Sequence, residues 1–149
     1  MSWKKLLQSN SVHRHRASRQ ELSDIRRLVA RDLADAAIPA LSEDRRFATA
    51  HNAALQTAKM AIACAGYRIA SVPGHHRVTF EGAKLALGKQ AEQLADYFDA
   101  CRRRKRNEID YTGATIATSS EADELLFHAK SFLKMVEEWI ETTPPMMKG

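Results

Sequence analysis

The sequence predicts an all-α protein, an antiparallel up-and-down bundle of four to five helices. Three observations lead to this prediction. Ala and Leu are plentiful, whereas the 149 residues include only six Gly and four Pro, a composition that favours helices. Apolar residues recur at spacings of three and four along several segments. Ser residues of the kind that cap helices precede two of the longest of these segments.

The first long helix is predicted to begin after Ser18. Ser18 and Glu21 form a capping-box pattern, in which the Ser accepts from the Glu amide and the Glu reaches back to the cap amide. Apolar positions at helical spacing follow, and the helix is expected to end before Pro39. They are Leu22, Ile25, Leu28, Val29, Leu33 and Ala36.

The basic stretch 1–17 precedes this helix and is weakly patterned. We interpret it as a solvated lead-in rather than a nucleic-acid-binding arm. Its apolar side chains Trp3, Leu6 and Leu7 are expected to pack on the body of the protein.

Ser42 caps the next predicted helix, which carries a stripe of small residues that lets neighbouring helices approach closely. His51 lies near this stripe, and we interpret it as a core histidine with a hydrogen-bond partner. Gly66 is a plausible stop, although residues 67–69 could extend the helix. The stripe consists of Phe47, Ala50, Ala54, Ala58, Ala61, Ile62 and Ala65.

Residues 71–77 are predicted to form a loop because they contain Pro and Gly. His75 and His76 invite a metal interpretation, but no Cys or acidic residue is spaced to complete a zinc site, so we predict no metal. A short helix should follow and end at Gly88. Its apolar positions are Val78, Phe80, Leu85 and Leu87.

Two further helices complete the predicted bundle. One starts near Leu94 and carries a run of basic residues at its end. The last has a second capping-box candidate at residues 120–123 and the cleanest amphipathic stripe, and it ends at the Pro pair 144–145. The stripe consists of Ala122, Leu125, Leu126, Ala129, Phe132, Leu133, Val136, Trp139 and Ile140.

No segment is a convincing strand, and no linker divides the chain. We therefore predict one helical domain over residues 18–143, followed by a tail at 144–149. Cys64 and Cys101 lie within apolar helical patterns and are expected to be buried free thiols in a reducing compartment. The chain has no apolar run of bilayer-spanning length and no signal-peptide pattern, so we expect a cytoplasmic protein without membrane partners.

The formal net charge is +5, which permits an anionic partner without requiring one. Five consecutive cations stand at residues 102–106. At helical spacing, this segment and the residues after it would form two adjacent ridges. The ridges are Arg102, Arg106 and Asp110, and Arg103, Asn107 and Tyr111. Such a surface could hold phosphate and stack on a base, or it could be a solvated face with an exposed Arg106–Asp110 ion pair.

Most motifs of enzymatic chemistry are missing from the sequence. It has no Gly-rich phosphate loop, CxxC pair, HExxH motif or nucleophile elbow. It also lacks the Glu-x-x-His pairs of di-iron bundles. We therefore predict no cofactor, and the basic cluster remains the one constellation with a chemical rationale.

Several segments also occur in an order and spacing typical of a known family. They are residues 32–35, 44–47, 51–55, 66–68, 74–76 with 79–81, and 97–107 with Asp110 and Tyr111. Over residues 18–140 the chain thereby resembles the HEPN family (higher eukaryote and prokaryote nucleotide-binding domains), and it is most similar to small stand-alone bacterial members. The resemblance implies a helical bundle that forms a homodimer.

Many HEPN proteins are metal-independent ribonucleases whose motif is an Arg, a polar residue and then a His little more than one helical turn later. On that pattern Arg106 and Asn107 match the first two positions. The His is absent, and Tyr111 stands five residues after Arg106. An unperturbed Tyr titrates near about 10, so it is a poor general base near neutral pH. We therefore do not expect efficient cleavage.

The resemblance also implies a partner. Some HEPN toxins pair with a minimal nucleotidyltransferase antitoxin that modifies a Tyr just beyond the catalytic His. Tyr111 could be that target in a motif that has lost its His.

Three hypotheses follow. In the first, a HEPN protein of a toxin–antitoxin or defence-type module binds RNA or nucleotide phosphates. Arg102, Arg103 and Arg106 hold phosphate, Asn107 orients the substrate and Asp110 positions Arg106.

In the second hypothesis, the chain is an active ribonuclease that uses Arg106 with Tyr111, or with a His from elsewhere such as His51 or His75. In the third, it is a non-catalytic protein-interaction module or homodimer scaffold whose arginines form interface ion pairs.

Overall fold

The computed structural model of this protein describes residues 1–71, 75–104 and 117–142. Two short strands and a 3-10 helix at Gly88–Ala91 accompany the α-helices of these ranges. The strands are β1 (Val12–Arg14) and β2 (Tyr67–Ile69). The helices are α1 (Trp3–Gln8), α2 (Arg19–Ala36), α3 (Glu43–Cys64), α4 (His75–Leu87), α5 (Glu92–Arg104) and α6 (Ser119–Thr142).

The prediction of an all-α helical bundle is confirmed. In the part of the chain that the structure describes, the bundle has four helical segments, which are α2, α3, the α4–α5 pair and α6. Contacts between the helix termini show in which direction each segment runs relative to its neighbours. Arg46 near the start of α3 donates from Nε to the Ala36 carbonyl at the end of α2, at 2.8 Å. The Arg104 guanidinium at the end of α5 lies 5.6 Å from the centre of the Phe47 ring near the start of α3. α3 therefore runs antiparallel to both α2 and α5.

The first and last segments of the bundle, α2 and α6, are joined by a bidentate ion pair. Arg26, early in α2, donates from Nε and Nη2 to the carboxylate of Glu137, late in α6, each at 2.8 Å. Because the start of α2 lies beside the end of α6, these helices are also antiparallel. Paired hydrogen bonds of this kind fix geometry more tightly than a single contact.

The predicted caps of α2 and α3 are confirmed. Ser18 Oγ accepts from the Glu21 amide at 3.0 Å, and Ser42 Oγ accepts from the Arg45 amide at 3.2 Å. The second hydrogen bond of the predicted capping box, from the Ser18 amide to the Glu21 carboxylate, is replaced by another contact. The Glu21 carboxylate lies 2.8 Å from His15 Nε2, which joins the N-terminal segment to α2.

The capping box predicted at residues 120–123 lies two residues earlier. Thr118 Oγ1 accepts from the Glu121 amide at 3.1 Å, and Glu121 Oε1 accepts from the Thr118 amide at 2.9 Å. Asp123, the acid of the predicted box, instead pairs with Arg46 of α3. Residues 118–121 and residues 120–123 both fit the capping-box pattern. The pairing of Asp123 with Arg46 of α3 leaves Thr118 and Glu121 to form the box.

The expectation of no strand was wrong. β1 and β2 pair antiparallel with Val12 opposite Ile69 and Arg14 opposite Tyr67. Residues 67–69 therefore do not extend α3, whose chain turns away at Gly66 with a φ of 98°, a conformation that favours Gly. Strands of three residues are too short to show an alternating pattern in the sequence.

The start of α4 also differs from the prediction, since His75 and the two residues after it form its first turn rather than a loop. The two rings of His75 and His76 pack edge to face, with centroids 4.1 Å apart. The predicted stop at Gly88 is confirmed, with a φ of 79°.

The core centres on α3, and the small-residue stripe predicted for it is buried from Phe47 to Ile62, whereas Ala65, just after the helix, is partly exposed. Phe98 of α5 lies fully inside, with ring centroids 5.8 Å from Phe80 and 5.2 Å from Phe132. His51 is buried, and its Nε2 lies 3.0 Å from the Phe98 carbonyl oxygen. The interpretation of His51 as a core histidine is therefore confirmed.

A second, smaller apolar cluster holds the N-terminal segment against the bundle. Leu6 and Val12 are buried with Val78 of α4, and Trp3 and Leu7 pack against them. The docking predicted for Trp3, Leu6 and Leu7 is thus confirmed. None of the helices in the described ranges is long and apolar enough to cross a membrane.

The corrected cap gives a stability prediction. Thr118→Ala should lower the free energy of unfolding by about 1 kcal/mol, because it removes the acceptor of the Glu121 amide. Ser120→Ala is the matched control and should change it by less than about 0.5 kcal/mol. Urea unfolding followed by circular dichroism measures both, and an equal loss in the two variants would place the cap elsewhere.

Candidate functional site

The C-terminal turn of α5 carries Arg102, Arg103 and Arg104. Arg102 Nε donates to Asp99 Oδ1 at 2.9 Å, and Arg103 Nη1 approaches Asp99 Oδ2 at 3.4 Å. One carboxylate therefore faces two guanidiniums. Their exposure differs sharply, with 14% of the Arg102 side chain and 62% of the Arg103 side chain open to solvent.

The third arginine of this turn points into the bundle end. The Arg104 guanidinium pairs with the Glu121 carboxylate of α6, with Nη2 at 3.0 Å from Oε1, and lies over the Phe47 ring of α3. A guanidinium stacked on an aromatic face gains a cation–π attraction of about 1 kcal/mol. Arg104 therefore joins α5 to α3 and α6 and is a structural residue.

The same end of the bundle is tied by two side chains of α3. Asp44 Oδ1 accepts from the Ala117 amide at 2.8 Å. Arg46 pairs with Asp123 of α6 and also holds the end of α2. These contacts fix where the chain leaves α5 and where it enters α6.

A shallow cavity of about 250 Å³ lies beside this junction, between Phe47, Tyr97, Cys101, Arg104 and Glu121. Burial raises the pKa of the Cys101 thiol to about 11. The hydrogen bond to Tyr97 lowers this pKa, but its effect is smaller than that of burial. Burial also raises the pKa of Tyr97 well above its usual value. Both groups stay protonated near neutral pH, so neither supplies a nucleophile or a general base there.

The predicted site residues fall into two groups. Arg102 and Arg103 are at the end of α5, as expected. Arg106, Asn107, Asp110 and Tyr111 lie outside the described residues, so the two predicted ridges stay a prediction beyond Arg104. His51, named as a substitute base, is in the core against Phe98, away from solvent.

The acids around the α5 end are the feature that sequence reasoning missed. Asp99 stands three and four residues before Arg102 and Arg103, which is helical ion-pair spacing, and this signal was available in the sequence. Glu121 lies 17 residues after Arg104 in sequence, and nothing local signals that contact. Three of the arginines thus already have carboxylate partners.

Another cavity of about 250 Å³ lies near the C-terminal end of α3 and includes Lys59, His15, Glu21 and His75. Sequence reasoning missed Lys59. The sequence did contain a sign of this residue, because a lysine stands between Ala58 and Met60 within the small-residue segment, and both neighbours are buried. Within the described ranges, no group of three or more His, Cys, Asp or Glu side chains is arranged to hold a metal ion.

Comparisons with protein-family models, curated proteins and solved structures found no match for this chain.

The two cysteines give a prediction about reactivity. Both are free and buried, and burial raises each thiol pKa to about 11. Their thiolate fraction at pH 8 is then about a hundredfold below that of an ordinary cysteine. Ellman's reagent should react slowly with the native protein and rapidly in urea. Fast reaction of a native thiol would contradict the burial described here.

Stability should also depend on these thiols at alkaline pH. Because the folded pKa is the higher one, the unfolded chain loses the thiol protons first as pH rises. The contribution is complete below about pH 8.5 and is lost as pH rises towards 11. Urea midpoints at pH 8 and pH 10 should therefore differ less in Cys64→Ala than in the wild type, and an unchanged difference would refute the assignment.

Proposed function

We propose that this chain is a HEPN-type protein that binds RNA or nucleotide phosphates through the C-terminal turn of α5. The observation that carries the proposal is the Arg103 side chain, which is 62% exposed and meets Asp99 only at 3.4 Å. Exposed ion pairs of this kind contribute about 1 kcal/mol or less, so a phosphate can replace Asp99 as the partner of Arg103 at little cost.

The neighbouring arginines have different roles in this proposal. Arg102 is largely covered and keeps Asp99 in place through a 2.9 Å hydrogen bond. It therefore orients the site. Arg104 anchors the helix end through Glu121. Lys105 and Arg106 follow directly in sequence and extend the positive charge along the chain.

The proposal extends to the residues that follow in sequence. Arg106 contacts the phosphate that would carry the developing charge, Asn107 orients the substrate, and Asp110 positions Arg106. Tyr111 replaces the family's His and donates a proton or a hydrogen bond. Without an imidazole, cleavage is slow or absent, and the chain acts mainly by binding, as a homodimer in a toxin–antitoxin or defence-type module.

RNA binding should depend on Arg103. Arg103→Ala should weaken binding of a short single-stranded RNA about tenfold at low salt, because it removes one exposed phosphate contact. The slope of log affinity against log salt should fall by about one. Fluorescence anisotropy at several salt concentrations measures both quantities.

Arg27→Ala is the matched control for Arg103→Ala. Arg27 is 72% exposed, pairs with an aspartate on its own helix at 3.0 Å, and lies on α2. The two variants lose the same charge from similar environments at different places. Equal weakening would mean that RNA responds only to net charge, and unchanged binding in Arg103→Ala would refute the proposal.

The alternative is an active metal-independent ribonuclease that uses Arg106 with Tyr111. Incubation of total RNA with wild type and with Arg106→Ala, in the presence of EDTA, tests it. Cleavage by the wild type alone would establish the nuclease. RNA binding without cleavage is the result that we expect.

The proposed antitoxin partner is tested separately. Co-expression with a nucleotidyltransferase encoded by a neighbouring gene should add a nucleotide mass to the Tyr111 peptide in mass spectrometry. An unmodified peptide would remove this partner from the proposal and leave RNA binding unaffected.

A further inference from the structure

The cavity near the C-terminal end of α3 is built from four elements. Lys59 and Ile62 of α3 contribute to it together with Glu21 and Ile25 of α2, all of β2, and the first residue of α4. Residues 59, 62 and 63 follow the three-and-four spacing of one helix face, so that face of α3 forms one wall. Its volume of about 250 Å³ corresponds to roughly eight water molecules.

Lys59 is the unusual group in this cavity. Its side chain is half-buried, and burial lowers its pKa. Among the described residues, no carboxylate lies within 4.0 Å of its Nζ, unlike Lys84, which pairs with both Glu81 and Asp96. An ammonium that is partly removed from water without a counter-ion costs free energy, and an anion in the cavity would recover it.

Glu21 is the one carboxylate among the described residues that line the cavity, and it already has a partner. Both oxygens of Glu21 lie within 3.0 Å of His15 Nε2. The His15 amide in turn donates to the Gly66 carbonyl at 2.9 Å, which fixes the backbone that carries this pair. Glu21 is thus directed at His15.

The remaining polar groups of the cavity favour an anion. Arg68 is exposed on β2 at the rim, and the exposed Ser71 adds a hydroxyl donor. Tyr67 is held in place by its ring, which stacks on Trp3 with centroids 4.1 Å apart. Leaving the two histidines out of the count, Lys59 and Arg68 outnumber Glu21 among the described lining residues, so these side chains give the cavity an excess of positive charge.

We propose that this cavity binds a phosphate group carried on a small organic molecule. Lys59 supplies the inner positive charge, and Arg68 closes on the phosphate from the rim. Ile25, Ile62 and Ile69 line the rest of the wall and contact the organic part, since a bare ion would leave this apolar surface in water.

This site is separate from the α5 end. Lys59 lies twelve residues after Phe47 on α3, or about 18 Å along the helix axis. Among the described residues, neither Arg103 nor any residue that follows it in sequence lines the cavity. Phosphate binding in this cavity is therefore independent of RNA binding at the α5 end.

Titration of the full-length protein tests the site, with inorganic phosphate in one arm and phenyl phosphate in the other. Amide shifts in a nitrogen-15 correlation spectrum should appear at residues 59–71, and the melting temperature should rise with ligand. Lys59→Met should lose both responses, with apparent affinity at least about tenfold weaker. Tighter binding of phenyl phosphate than of inorganic phosphate is the expected order.

Lys130→Met is the matched control, because Lys130 is exposed on α6 and the substitution is identical. It should keep the wild-type response. Without ligand, Lys59→Met should melt no lower than the wild type, since Met keeps the apolar stem and removes the partly desolvated charge. Arg68→Gln, on the exposed rim, serves as a second variant and should weaken binding without affecting folding.

Three results would overturn the proposal. The first is the absence of any shift at residues 59–71 with either phosphate at millimolar concentration. The second is an equal response in Lys59→Met and the wild type. Shifts confined to the end of α5 would assign phosphate binding to the arginine cluster alone and would equally reject the cavity site.

Discussion

Close packing around α3 is the constraint on which the rest of the structure depends. More than half of its 22 residues are buried, and Ala is the commonest residue among them. A helix buried on several sides needs small side chains so that its neighbours can approach at short interaxial distance. α2, α4, α5 and α6 all pack on it. Thr57 is also buried in α3. Its hydroxyl donates to the Ala53 carbonyl at 2.8 Å, so this buried polar group has its partner within the helix.

The two ends of α3 then position two different chemical environments. Its start holds the ends of α2 and α5 and the start of α6 through Asp44, Arg46 and Phe47. Its end lies beside the β1–β2 pair and the cavity that contains Lys59. The first environment is a balanced set of ion pairs from which Arg103 projects, and the second is a partly enclosed pocket with an excess of positive charge. A phosphate at the first would have to replace Asp99 as the partner of Arg103, whereas a phosphate at the second would give Lys59 a counter-ion.

Buried polar groups inside the bundle fix the register of α3 against its neighbouring helices. Asp32 of α2 is buried and accepts from Asn52 of α3 at 2.6 Å and from Arg31 at 3.1 Å. His51, one residue earlier on α3, reaches the Phe98 carbonyl of α5. A one-residue slip of α3 against its neighbours would leave these groups buried without partners, at a cost of about 1–3 kcal/mol each. The register that places Arg102 and Arg103 at the end of α5 is therefore fixed from within the core.

The sequence by itself determined the fold class, the helix starts at Ser18 and Ser42, the stop at Gly88 and the core faces, because these depend on local spacing and on caps within one turn. Tertiary structure alone decided three other features. Thr118 prevailed over Ser120 as a cap because Asp44 and Arg46 hold the adjoining chain. β1 and β2 formed because two segments more than fifty residues apart meet. Arg104 turned inward because Glu121 and Phe47 meet beside it. In each case the deciding partner is distant in the sequence, and local patterns carry no information about it.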